Sequence, residues 1–233
     1  MSLRSEEFER ARRETVRYHE ELYAAAELGD AGTWLAQPHP LLFDALELLP
    51  ADRPLVAYDL GAGIGRHTIP MLRLLPPGSQ VYAVDLLPSA LDQLEQQVPA
   101  GTTTALHTRA VDLVDFELTA PADLVFAFSA IEHLPSAAAV RTLLQRIAAA
   151  LNPGGVVALG IIADRFEIRG DGTRRPALLE SELSIEAARE LLGETFADLT
   201  VEQLHLRPAD VREERDGESY TLAATLLTFL ATA

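Results

Sequence analysis

Hydrophobic positions change their spacing along the chain, and the changes mark out the elements. Residues 5–28, "SEEFERARRETVRYHEELYAAAEL", contain no glycine or proline, and Phe8, Val16 and Tyr23 fall near one helical stripe. That spacing predicts a charged amphipathic helix. "GDAG" at 29–32 ends it, and "PHPLLFDALELLP" at 38–50 opens on prolines and continues apolar at helical spacing, giving a second helix. From residue 55 the runs shorten: "LVAYDL" (55–60), "QVYAVDL" (80–86), "TALHTRAVDL" (104–113), "ADLVFAFSA" (122–130) and "GVVALGII" (155–162). Each is rich in β-formers and bounded by Gly, Pro or Asp, so each reads as a strand. Helical patterns at 66–75, 88–97 and 136–151 separate them. Strand–helix alternation predicts right-handed βαβ units and a parallel sheet covered on both faces.

After residue 162 the order loosens. "DRFEIRGDGTRRP" (164–176) reads as a polar, Arg-rich loop, and "SIEAARELLGE" (184–194) as a helix with a serine cap. "LTVEQLHLRP" and "YTLAATLLTFLA" flank "EERDGES", whose Asp-Gly step signals a hairpin, so they form a closing antiparallel pair. The expected fold is α/β: a doubly wound, mostly parallel seven-stranded sheet with an antiparallel closing strand and an N-terminal helical extension. No repeat or low-complexity linker divides the chain, so residues 1–233 are taken as one domain, with 1–50 the extension and 51–233 the core.

Composition narrows the chemistry. With 48% hydrophobic and 23% charged residues the chain is globular in balance. Its longest weakly polar run, "TLAATLLTFLATA", is shorter than the roughly 18–20 residues of a membrane-spanning helix. No signal-peptide pattern opens it, so a soluble protein without a membrane partner is expected, and the cytoplasm is the expected compartment. There is no cysteine, which excludes disulfides, thiolate metal sites and cysteine nucleophiles. Every one of the 19 basic residues is arginine, which excludes lysine Schiff-base chemistry. The formal charge of -16 repels nucleic acid, so none is expected as a partner. Neither the histidines nor the carboxylates are spaced as metal ligands, and no metal is expected.

Chemistry concentrates around "VAYDLGAGIGRHTIP", 56–70, where a strand ends in an acid and Gly61, Gly63 and Gly65 follow at alternating positions. Such a loop presents backbone N–H groups and lets a ligand approach without Cβ clashes. A dinucleotide fingerprint wants its third glycine where this chain has Arg66. Asp85 closes the second strand, 24 residues after Gly61, and Asp112 closes the third. An acid after the second strand suits two ribose hydroxyls. Turn and helix-start roles are the alternative for both acids.

The series "VAYDLGAGIGRHT", "VYAVDLLPSAL", "RAVDLVDFE", "ADLVFAFSAIEHLP" and "LNPGGVVALGI" resembles the class I S-adenosylmethionine-dependent methyltransferases. It is most similar to their small-molecule group, which includes tellurite-resistance-type and quinone-biosynthesis-type enzymes. The resemblance spans residues 55–162, and the family's acid-x-Gly-x-Gly-x-Gly pattern fits Asp59 to Gly65. It implies a Rossmann-like fold, S-adenosylmethionine as cofactor and a small-molecule substrate. It further implies that Asp59, Gly61, Ala62 and Gly63 surround the methionine portion, and that Asp85 takes the ribose. Leu86 then lies against the adenine, Asp112 accepts from its amino group, and the Leu113 backbone meets the ring. Phe128 is placed where a backbone carbonyl meets the methionine ammonium.

Several residues keep two readings. Arg66 pairs with the cofactor carboxylate or is an exposed first-turn arginine. His133, with Glu132 beside it, is a general base near the methyl position or a packing histidine, and His205 is read as structural. The 164–176 arginines receive an anionic substrate or are solvated. "FSAIEHLP" stands where amide- and adenine-methylating members carry Asn/Asp-Pro-Pro-aromatic, which argues against those acceptors. The extension, with Tyr18, Tyr23 and Trp34, is a lid over the open sheet edge or a helix pair packed elsewhere. Beside methyl transfer stand a non-catalytic S-adenosylmethionine-binding sensor or scaffold and, disfavoured by Arg66 and the lack of lysine, a nicotinamide-dependent oxidoreductase. The acceptor atom and the oligomeric state are not readable.

Overall fold

A computed structural model describes residues 3–215 and 217–233. In chain order the elements are α1 (Leu3–Ala25), α2 (Pro40–Glu47), β1 (Val56–Leu60), α3 (Thr68–Leu74), β2 (Gln80–Asp85), α4 (Pro88–Gln96) and β3 (Ala105–Ala110). Then come β4 (Ala122–Phe128), α5 (Ala137–Ala150), β5 (Leu151–Arg169), β6 (Arg174–Pro176), α6 (Ile185–Thr195), β7 (Thr200–Arg215) and β8 (Glu218–Thr232). Single 3-10 turns sit at Trp34–Ala36 and Ile131–His133.

The sheet runs β3-β2-β1-β4-β5-β8-β7, with β6 paired to β5. β1 to β5 are parallel, and β8 is antiparallel to both of its neighbours. The strand order reverses between β1 and β4, the place where an open α/β sheet leaves a crevice at its carboxyl edge. Apart from Asp59 and Asp123, β1 and β4 are apolar because both faces are covered. On one face Val140, Leu143, Leu144 and Ile147 of α5 pack with Ile185, Ala188, Leu191 and Leu192 of α6 over Tyr58 and Phe116. On the other, Leu41, Leu42 and Ala45 of α2 join Ile69, Met71 and Leu72 of α3 and Leu91 and Leu94 of α4. A smaller cluster of Tyr23, Leu35, Ile64, Leu87 and Ala90 attaches α1 and the 3-10 turn after it to the glycine loop.

Three expectations are corrected. The 164–176 stretch is strand rather than loop: β5 continues to Arg169, turns, and pairs back with β6. The closing strands are also longer than read, with pairing from Thr200↔Thr232 to Arg215↔Glu218. The pairing closes at Arg215↔Glu218, next to Gly217 with φ +76; Asp216 of the Asp-Gly step lies outside the described residues. Finally, β3 ends at Ala110, so Asp112 stands two residues past the strand rather than closing it. Among the described residues, no helix is long and apolar enough to cross a membrane.

Candidate active site

The loop after β1 is built to be approached closely. Gly61 and Ala62 donate to the Val84 carbonyl at 2.8 and 3.0 Å, which ties the loop to the end of β2. Gly61, Gly63 and Gly65 all have positive φ. A Cβ on Gly61 would stand 2.5 Å from the Ala130 methyl, and one on Gly63 would stand 2.5 Å from the Tyr23 hydroxyl. Asp59, at the end of β1, is buried; its Oδ2 accepts from Thr68 Oγ1 at 2.6 Å, and its Oδ1 has no partner among the described residues. Burial pushes its pKa up to about 7, against the Thr68 hydroxyl and reinforced by nearby Asp85.

Asp85 binds the loop to its own turn. Oδ2 accepts from Gly63 N at 2.7 Å and Oδ1 from Leu87 N at 2.9 Å. Burial still raises its pKa, the N–H groups opposing. Each oxygen keeps a free lone pair, and the residue lines a cavity of about 380 Å³, a size typical of ligand pockets. Leu86, Asp112 and Leu113 line the same cavity. Asp112 is already engaged: Oδ1 accepts from Val114 N at 3.0 Å, and Oδ2 accepts from the Arg12 guanidinium at 3.0 Å.

At the other end of the cavity, Arg66 is half-buried rather than exposed. Its guanidinium lies 5.6 Å from the Trp34 ring centre and 5.7 Å from that of Phe128, and Nε donates to the Gln37 carbonyl. Burial lowers its pKa to about 10. Phe128 packs on His39, and His67 packs on Phe126 and Phe128. Burial first, then Arg66, holds His67 well below the ordinary histidine range, so it is a neutral core ring.

His133 sits in the 3-10 turn after β4, opposite the glycine loop. Ser129, just before it, is held at φ +53, a conformation a serine rarely takes, by N–H donation to the Gly160 carbonyl and an Oγ bond to Glu132 Oε1. Glu132 is buried, and its second carboxylate oxygen has no partner among the described residues. Around His133 stand residues that sequence reasoning passed over. Its Nδ1 is 3.2 Å from Oε2 of Glu180, a buried acid on the β6–α6 connection, although the N–H is angled off a full hydrogen bond. The ring of His19 stands edge-on at 6.2 Å, and Arg12 donates to the His133 carbonyl at 2.9 Å. Arg12, Thr15, His19 and Tyr23 follow one another at helical spacing, so a single face of α1 walls the cavity. That spacing was the one available signal; Glu180 carried none.

The outer wall comes from the long strands. Glu167 of β5, 1% exposed, takes Arg175 Nε at 2.5 Å and Arg215 at 2.8 Å. Burial alone would raise its pKa, but the two guanidiniums keep it low. The 164–176 arginines thus do not share one fate: Arg175 is in this network, Arg165 donates to the Glu132 and Ser181 carbonyls, and Arg169 pairs with Glu218. His205 lies on exposed β7, away from the cavity.

Residues 58–157 match the family described as a methyltransferase domain. That segment of the chain, from β1 into β5, carries the methyltransferase-domain match. The fold of the chain is that of the S-adenosylmethionine-dependent methyltransferases. One such protein from Methanosarcina mazei is 12% identical with a TM-score of 0.57, over 84% of this chain and 98% of that one. The amino pentose methyltransferase CalS10 of Micromonospora echinaspora, solved with S-adenosylmethionine, is 20% identical with a TM-score of 0.51, over 87% and 95%. The N-methyltransferase NodS of Bradyrhizobium japonicum WM9, solved with S-adenosylhomocysteine, is 16% identical with a TM-score of 0.50, over 85% and 94%. No curated protein matches the chain.

Proposed function

We propose that the methyltransferase domain moves a methyl group from S-adenosylmethionine to a small molecule held in the cavity beneath α1. The observation that carries this reading is the bond from Gly63 N to Asp85 Oδ2 at the cavity wall. It sets a carboxylate with free lone pairs beside a loop that no Cβ fills, a cradle for a ribose and an amino-acid tail. The donor set fits: an orphaned buried oxygen on Asp59 lies under the loop, and the N–H groups of Gly61, Ala62, Gly63 and Gly65 are already spent on Val84, Asp85 and Ala62.

Asp85 takes the ribose hydroxyls, Leu86 and Leu113 flank the base, and Gly61, Ala62 and Gly63 admit the methionine portion. Arg66, between Trp34 and Phe128, receives the carboxylate. Asp112 presents its remaining lone pairs to the adenine amine while Arg12 holds it in place. When bound, S-adenosylmethionine supplies an already activated methyl group, so the protein's task is to orient the acceptor and exclude water. α1 and the turn at Trp34–Ala36 serve as the lid that does so, because their side chains close the cavity. His133 faces the acceptor side as a base.

The test is formation of S-adenosylhomocysteine across a panel of small phenols, amines and thiols, with Asp85→Ala as control. Turnover with at least one acceptor, lost in the variant, supports the reading. S-adenosylmethionine that neither binds nor turns over refutes it.

A further inference from the structure

The contact between His133 and Glu180 decides which imidazole nitrogen is free. Glu180 has a side-chain exposure of 1%, so water does little for its charge. Burial by itself would raise its pKa, yet the contact with His133 and the approach of Thr15 hold it down to about 2. The groups that face His133 are few. From α1 come Arg12, with Nε 4.0 Å from Glu180 Oε1, and His19; from the core come Glu132 next door and Asp85 across the cavity. His19 does not compete as a base: its Nδ1 is bonded to the Thr15 carbonyl, and burial, then His133, lowers its pKa to about 4. A buried carboxylate 3.2 Å from Nδ1 favours a proton on that nitrogen, which leaves the Nε2 lone pair free.

Resting on the methyl-transfer reading, we propose that Glu180 is a positioning residue that holds His133 as its Nδ1–H tautomer. Nε2 then takes the proton of the acceptor, and the acceptor is a molecule methylated at an O–H or N–H group. In that step the acceptor's O–H or N–H bond breaks and its proton passes to Nε2. The freed electron pair forms the bond to the methyl carbon, and the carbon–sulfur bond of the donor breaks to leave a neutral thioether. The imidazolium, held beside the Glu180 carboxylate, then returns its proton to solvent. An acceptor with no proton to lose, such as a tertiary amine, gains nothing from this pair.

Long-range ¹H–¹⁵N NMR above neutral pH reads the tautomer, with His133→Asn assigning the signal. His133 should show a protonated Nδ1 and a bare Nε2, and Glu180→Ala should abolish that preference. If Glu180→Ala does not fold, Glu180→Gln keeps the volume, removes the charge and is read the same way. An Nε2–H tautomer in the wild type, or no change in either variant, overturns the proposal. Calorimetry with S-adenosylmethionine separates the layers. Binding together with the wrong tautomer sinks only this inference, whereas the right tautomer without binding sinks the methyl-transfer reading and the acceptor assignment with it. On the acceptor panel, phenols and primary amines should be turned over, with a loss of about a hundredfold in His133→Asn. Comparable turnover of tertiary amines, unaffected by that variant, contradicts it.

Discussion

Replacing Gly63 by alanine tests whether α1 is fitted to the glycine loop. Two penalties arise from separate causes. At φ +51 the backbone is in the left-handed region, and a Cβ there costs about 1–2 kcal/mol. The same Cβ would meet the Tyr23 hydroxyl at 2.5 Å and its Cζ at 3.1 Å. Tyr23 is packed with Ile64, Leu87 and Ala90, so moving its ring disturbs that cluster, and the forced shift adds about 1–2 kcal/mol. Gly63→Ala should therefore destabilise by about 2–4 kcal/mol. Tyr23→Phe alone should change little, since the hydroxyl makes no hydrogen bond among the described residues. In the Tyr23→Phe background the nearest atom recedes to 3.1 Å, tight but tolerable. Only the backbone penalty then remains, giving a coupling of about 1 kcal/mol. Urea unfolding of the four proteins, with unchanged slopes, measures it. Additivity within about 0.5 kcal/mol, or a neutral Gly63→Ala, would refute the reasoning.

Asp85→Ala should weaken S-adenosylmethionine binding by about one to two powers of ten, the worth of charge-assisted bonds of about 1.5–3 kcal/mol; unchanged affinity by calorimetry removes the ribose assignment. Glu167→Gln deprives Arg215 of its only carboxylate partner among the described residues and Arg175 of one of two. Because both arginines are partly solvated, the loss in urea melts should be about 2 kcal/mol, below that of a fully buried pair. Asp59 has a folded pKa of about 7 against 3.8 in the reference state, so the fold favours its protonated form. Its contribution to stability is fully present below about pH 4 and is lost as pH rises through 7. Asp59→Asn should flatten that part of the ligand-free stability profile between pH 4 and 7, and an unaltered slope argues against a protonated Asp59.

The sheet was legible because its signals are local. An apolar run buried on both faces, then a turn glycine or acid, survives any tertiary context, and β1, β2, β4 and their helices came out within a few residues. The 164–176 stretch was misread because its pattern is inside out. Glu167 points inward to two arginines while Phe166 and Ile168 lie half-buried, so polarity on the cavity side imitated a loop. Asp85 was readable from its place after β2, whereas the Arg12–Asp112 pair joins residues 100 apart with no shared motif. Glu180 has the same difficulty: what makes it matter is burial beside His133, a property of the packed chain. The aromatic content of the extension pointed toward the site, and Tyr18, Tyr23 and Trp34 line the cavity, but α1 also brings Arg12, Thr15 and His19 to it, which no apolar stripe signalled.

Trp34 is the sole tryptophan, and it lines the cavity beside Arg66. Titrating S-adenosylmethionine while following its emission, with calorimetry on the same sample, tests most directly whether the cofactor binds beneath α1. The account predicts a saturating change in Trp34 emission whose midpoint equals the calorimetric Kd, weakened in Asp85→Ala and absent with NADH. An absence of binding heat, or Trp34 emission that stays flat while the calorimetric signal saturates, would contradict it.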